Sequence, residues 1–194
     1  SDTQFGGLQR VGTEGFRMLK NVIFEWSQQM NVDVCAGNED KEKAFDMPTV
    51  TMGYENGLRR VGLPEEWLLL DGKMFEQTET MVRHAYGYTD PFKRGGEQGC
   101  GNSCAQGSED GPDKYIGFED PFNTMWEQMN MGVTLQVNEI VTVKLNGGGY
   151  VDDKEPIAVS MPKLQAWYVK SGQYCRFHGA KGRPLKSKVH AKVL

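Results

Sequence analysis

The chain has 194 residues, 22 of them basic and 26 acidic, for a formal net charge of −4. That balance argues against a surface given over wholly to nucleic acid, which needs a basic excess. With 38% hydrophobic and 25% charged residues, including 4 Trp, 9 Phe and 7 Tyr, the composition excludes disorder throughout. The length suits one domain, 1–194, that buries about 70% of its unfolded surface without help from a disulfide or a metal.

No apolar run approaches the roughly 20 residues of a membrane-spanning helix, so no membrane partner is expected. Ser1-Asp2-Thr3-Gln4-Phe5-Gly6-Gly7 lacks the charged and apolar regions of a signal peptide, and residues 1–12 are read as an N-terminal arm. Phe16, Leu19, Ile23, Trp26 and Met30 recur at steps of three and four, which predicts an amphipathic helix over about 13–30 with Thr13 as its cap. Residues 36–46 read as a charged connector. Pro48–Met52 and Leu58–Val61 read as strands around a turn at Glu55-Asn56-Gly57. Pro64-Glu65-Glu66 opens a short helix that Asp71-Gly72 ends, and Thr78, Thr80, Val82 and Tyr86 favour strand over 76–88.

Residues 94–112 form a long loop with six glycines and two cysteines. Asp120-Pro121 starts a short second helix over about 120–130 that carries Phe122, Met125, Trp126 and Met129. Val133, Leu135 and Val137 alternate as a strand that Ile140 and Val143 extend, and Asn146-Gly147-Gly148-Gly149 makes a turn. Short strands follow at Ile157–Val159, Leu164–Val169 and Tyr174–Phe177. The predicted fold is β-rich α+β: an antiparallel β-sandwich or barrel-like core with two helices and extended arms. The second arm, 176–194, is basic, with Arg176, Lys181, Arg183, Lys186, Lys188 and Lys192 as candidate interface residues and no acid among them.

Cysteines are the first place to look for chemistry. Cys100, Cys104, Cys175 and His178 would satisfy a tetrahedral zinc, the one cofactor to weigh; none is otherwise expected. Cys35, Cys100, Cys104 and Cys175 are equally candidates for disulfides, within the chain or between chains, or for free thiols. Tyr150-Val151-Asp152-Asp153 has the form of the paired-aspartate turn of reverse transcriptases, where two carboxylates hold magnesium. In that setting the turn joins two apolar strands, whereas here three glycines precede it and Lys154-Glu155-Pro156 follows. No upstream acidic partner is evident and the chain is short for a palm plus fingers, so the motif is set aside.

No nucleophile elbow, phosphate-binding loop or dinucleotide fingerprint occurs, and a Cys104–His84 pair has no support beyond residue type. Trp167, Tyr168, Lys170, Tyr174 and Arg176 would stack bases only if they shared a sheet face. Ordering a glycine-rich loop and a tail costs about 1–2 kcal/mol per residue, which contacts with neighbouring subunits would offset. The expected function is therefore a non-enzymatic structural subunit of a virion, a capsid, decoration, tail or neck protein. It would form homo-oligomers with neighbouring structural proteins, its acidic stretch 39–42 pairing with the basic arm across interfaces. Nucleic acid is an unlikely partner except through that arm, and cutting the arm should spare the domain. The expected location is a virion or other extracellular assembly, with the cytoplasm as the alternative. A zinc-stabilised binding module, for nucleic acid among other ligands, and a small enzyme are the other two readings.

Overall fold

A computed structural model describes residues 13–42, 44, 55–77, 79–93, 111–136, 138–182 and 187–192. In chain order the elements are α1 (Thr13–Met30), β1 (Val34–Asn38), β2 (Lys41–Glu42), α2 (Asn56–Arg60), α3 (Glu65–Gln77), β3 (Glu79–Thr80), β4 (Arg83–His84), β5 (Gly87–Tyr88), β6 (Phe92–Lys93), α4 (Gly111–Gln128), β7 (Val133–Gln136), β8 (Thr142–Leu145), β9 (Gly147–Tyr150), β10 (Asp153–Ala158), α5 (Met161–Phe177), β11 (Lys181–Gly182) and β12 (Lys188–Lys192).

β1 organises the rest. Val34-Cys35-Ala36-Gly37 is buried on both faces, so it is small and apolar throughout instead of alternating. It pairs antiparallel with β12 on one side and β10 on the other, and β9 completes a four-stranded sheet in the order β12-β1-β10-β9. Successive side chains point to opposite faces. Val34 and Ala36 join Phe16 and Ile23 of α1, Val133 and Ile157 in one cluster, while Cys35 meets Phe122, Trp126, Leu164 and Trp167 from α4 and α5 in another. Asn31, with φ 55°, closes α1 in the left-handed conformation that asparagine tolerates and so turns the chain into β1.

Among the described residues helix outweighs strand, an α+β arrangement with one four-stranded sheet, four two-stranded pairs and no closed barrel. The β-rich expectation fails mainly at 161–177. There Leu164, Trp167, Ser171 and Cys175 are the buried positions, at steps of three and four, and they form one face of α5. Aromatic and β-branched residues had suggested strands; burial of a helical stripe overrides that preference. Likewise α4 begins at Gly111, not at 120, and runs through Pro121. Asp71-Gly72 does not stop α3, and 56–60 is helical. The connector at 36–46 holds β1 and β2, and Gly147–Gly149 is strand. Pro48–Met52, the arm 1–12 and residues 94–110 lie outside the described residues.

The basic arm is corrected too. Arg176 lies in α5, Lys181 in β11 and Lys188 and Lys192 in β12, which is an edge strand of the main sheet. Arg183 and Lys186 are outside the described residues. The acidic stretch and the basic segment do meet, but within one chain: Glu42 pairs with Lys181 across β2 and β11.

Candidate active site at a paired-aspartate hairpin

Tyr150-Val151-Asp152-Asp153 forms the tip of the β9–β10 hairpin, with Tyr150 opposite Asp153. Val151 turns the chain at φ 57°, a conformation in which a β-branched residue is an outlier, and such outliers gather at functional sites. Beyond the end of β1, Glu39 and Lys154 form an antiparallel bridge and exchange backbone hydrogen bonds of 2.8 and 3.4 Å. One residue further in that register, Asp40 stands opposite Asp153. The upstream acidic strand-end residue that the sequence did not reveal is therefore Asp40, 112 positions before Asp152. Its signal was the short apolar stretch Val34-Cys35-Ala36, which opens a strand that ends at Asn38, two residues before Asp40.

Asp152 is half-buried. Its carboxyl is pushed above the usual carboxylate value, first by burial and then by Asp40 and Glu119, against the pull of Lys41 and of its own backbone. Strand alternation sends Asp40 and Asp153 to the face that α1 covers and sends Lys41 and Lys154 to the face under α4. On the α1 face two adjoining grooves share Asn38 and Glu155. One, of about 250 Å³, runs past Phe16, Arg17, Gly148, Gly149, Tyr150 and Asp153. The other, of about 610 Å³, continues past Lys20, Phe24, Gly37 and Lys188. Lys20 is ion-paired with Glu155 at their junction.

Under the sheet, Lys41 and Lys154 are completely buried and both reach Glu119 of α4, the second at 3.0 Å. Tyr115 donates to the same carboxylate at 3.1 Å and Lys154 also donates to Asn123. Burial alone would raise the Glu119 carboxyl; Lys154 and Lys41 overcome it and hold it at about 2. Burial likewise works against Lys41, but Glu119 and Glu39 leave it above its ordinary value, whereas Lys154 stays below because burial and Lys41 outweigh Glu119. Glu39 accepts a hydrogen bond of 2.5 Å from Ser171.

The donor set at the tip is three carboxylates from two strand ends, with no nitrogen or sulfur. Among the described residues no three acidic, His or Cys side chains are arranged to share one metal. Magnesium takes one or two protein carboxylates and fills its other positions with water and substrate phosphates, so two of these acids would be enough to hold it.

The other candidates scatter. Cys35 and Cys175 are buried free thiols, each pushed up chiefly by burial, so neither presents sulfur for the expected bridges between chains. Cys175 and His178 lie at the end of α5, where His178 packs on the rings of Tyr174, Phe118 and Phe177. Cys100 and Cys104, the other half of the zinc candidate, lie outside the described residues. Trp167, Tyr168, Lys170, Tyr174 and Arg176 are on a helix with Trp167 fully buried, so they form no stacking sheet face.

No protein-family model matches the chain, and no curated protein matches it. Solved structures do. All of the chain superposes on 37% of apo telomerase from Candida tropicalis truncated from its C-terminal domain, at TM-score 0.62 and 11% identity. The fold is telomerase-like. Telomerase from the same yeast, in complex with a fragment of telomeric RNA, matches at TM-score 0.60 and 14% identity over 98% of this chain and 30% of its own. The Candida albicans complex gives 0.60 and 11% over 97% and 32%. The chain thus spans about a third of the length of these telomerase chains. This likeness overturns the virion structural subunit, its oligomeric structural partners and its extracellular location. The expectation that nucleic acid is an unlikely partner conflicts with these structures as well: two of the neighbours are in complex with a fragment of telomeric RNA.

Proposed function

We propose that this chain carries a nucleotidyl-transfer site that acts on nucleic acid, with its cation-binding carboxylates drawn from Asp40, Asp152 and Asp153. The observation that supports it most is the Glu39–Lys154 bridge, whose register carried on by one residue sets Asp40 beside the paired-aspartate turn, where its charge acts on Asp152. That places acids from two strand ends together on a telomerase-like fold, and it answers the missing-partner objection to the motif. In such a site the 3′-hydroxyl oxygen of a strand bonds to the α-phosphorus of a nucleoside triphosphate, and the bond to pyrophosphate breaks. The hydroxyl proton passes to solvent. Divalent cations that arrive with the triphosphate would activate the hydroxyl and neutralise charge on the phosphoryl and pyrophosphate oxygens.

The chain's own residues orient the reactants. Tyr150, partly exposed beside Asp153, offers a ring against which a terminal base or sugar packs. Arg17 and Lys188 in the adjoining grooves supply positive charge for a strand's phosphates. Two measurements test the reading: manganese binding followed by electron paramagnetic resonance, and primer extension on an RNA or DNA template. Saturable binding and extension, both lost in Asp152→Asn and Asp40→Asn, are expected. Absence of a saturable site, or one indifferent to both substitutions, overturns it.

A further inference from the structure

Each aspartate of the two facing strand ends is followed by a lysine that points the other way: Asp40 by Lys41 and Asp153 by Lys154. Both lysines are fully buried and both end on one carboxylate, that of Glu119. We propose that Glu119 is a positioning residue which, by bridging Lys41 and Lys154 beneath the sheet, fixes the separation of Asp40 from the Asp152–Asp153 turn, an inference that rests on the cation-binding reading of those aspartates.

Three observations carry it. First, a buried ion trio is a poor way to gain stability, because apolar side chains of similar volume do as well or better. Its distinctive property is directional: charged partners accept one register, and a slip of either strand by one residue would turn its lysine outward and its aspartate inward. Secondly, at this end the backbones of the two strands meet at an isolated bridge, Glu39 with Lys154. The strands' regular pairing stops at Cys35–Ala158 and Ala36–Ile157. Glu119 adds a side-chain tie there, between the residues that follow the two aspartates. Thirdly, the trio is itself held: Tyr115 donates to Glu119 from one turn earlier, and Asn123, one turn later, accepts a hydrogen bond from Lys154. The site of attachment is α4, which is packed into the core through Tyr115, Phe118, Phe122 and Trp126, all fully buried.

The experiment separates position from charge. The trio carries two positive charges and one negative. In Lys41→Met/Glu119→Leu/Lys154→Met a net positive charge leaves the neighbourhood of the aspartates, which by charge alone would tighten a cation. The apolar trio is also the variant most apt to stay folded. In Glu119→Asp the charge is unchanged and the side chain is too short to span both lysines. Manganese affinity of the full chain is read by paramagnetic resonance, with circular dichroism confirming the fold. If Glu119 positions the site, both variants lose affinity by about 10–100-fold, the usual effect of removing an outer support, and the triple variant does so against its charge change. Wild-type or tighter binding by the folded triple variant overturns the inference and leaves the cation site standing. Absence of any Asp152-dependent binding in the wild type overturns the cation reading, and the inference with it.

Discussion

Glu39 and Lys154 exchange two backbone hydrogen bonds, 2.8 and 3.4 Å long, beyond the end of the regular pairing of β1 with β10. This one pair divides the local side chains between two environments. Glu39, Lys41 and Lys154 go under α4 and α5, where Ser171 and Glu119 meet them, and Asp40 and Asp153 go to the opposite face. A site and its foundation are thus built from alternate residues of the same few positions.

The half-buried Asp152 is the clearest case of a group placed against its own stability. Burial, Asp40 and Glu119 all disfavour its charge. Asp152→Asn removes that charge and keeps the shape, so its urea unfolding midpoint at neutral pH is expected to equal or exceed that of the wild type while manganese binding is lost. A large fall in the midpoint would show that the carboxylate is structural.

Parts of this were legible in the sequence and parts were not. α1 was, because Phe16, Leu19, Ile23 and Trp26 repeat on one helical face, and so was the Val133–Leu135 alternation. Asp40 was not, because its partner lies 112 residues away and only the register of β1 on β10 brings the two together. The Lys41–Glu119–Lys154 trio was hidden for the same reason: each member reads as an ordinary surface charge until strand alternation and α4 bury it. α5 was misread because Trp167, Tyr168 and Val169 favour strands locally, while the stripe Leu164, Trp167, Ser171 and Cys175 becomes visible only over the whole seventeen-residue segment.

Glu119 gives the protein an acid limit. Its folded carboxyl sits at about 2, below its ordinary value of 4.5. A depressed carboxyl adds stability in full above 4.5, and the native state loses it as pH falls from there through about 2. The loss amounts to about 3 kcal/mol over that window. Denaturant melts from pH 6 down to pH 2 should show this slope, and Glu119→Gln should flatten it. At neutral pH the same substitution leaves two buried lysines with no anionic bridge and costs roughly 3–5 kcal/mol.

Two glycines separate the need for space from the mere presence of glycine. A Cβ on Gly147 would stand 2.3 Å from the Glu155 carbonyl oxygen and 2.5 Å from Trp126, at φ 131°. Gly172, within α5, has nothing within 4 Å of its Cβ position. Gly147→Ala is therefore expected to cost more than about 3 kcal/mol through overpacking and strain together. Gly172→Ala should gain roughly 0.5–1 kcal/mol from helix propensity. Thermal melts of the two variants, opposite in sign, check the packing of β9 against α4.

The last segment is the sharpest reversal of the sequence reading. An arm that reaches a neighbour can be cut without unfolding its domain; a strand in the central sheet cannot. β12 pairs five residues with β1, from Val34 with Lys192 to Asn38 with Lys188. Removal of 188–194 would strip one whole side of β1 and leave its backbone donors and acceptors without partners beside a buried apolar strand. Such an open edge invites pairing with other chains. The truncated chain is expected to unfold at a clearly lower denaturant midpoint and to aggregate as it does so. Val189→Pro, which removes a single donor opposite Gly37, should move the midpoint in the same direction by less. A truncated chain that melts like the wild type would mean that β12 is not part of the cooperative core and that β1 is held by β10 and the helices alone.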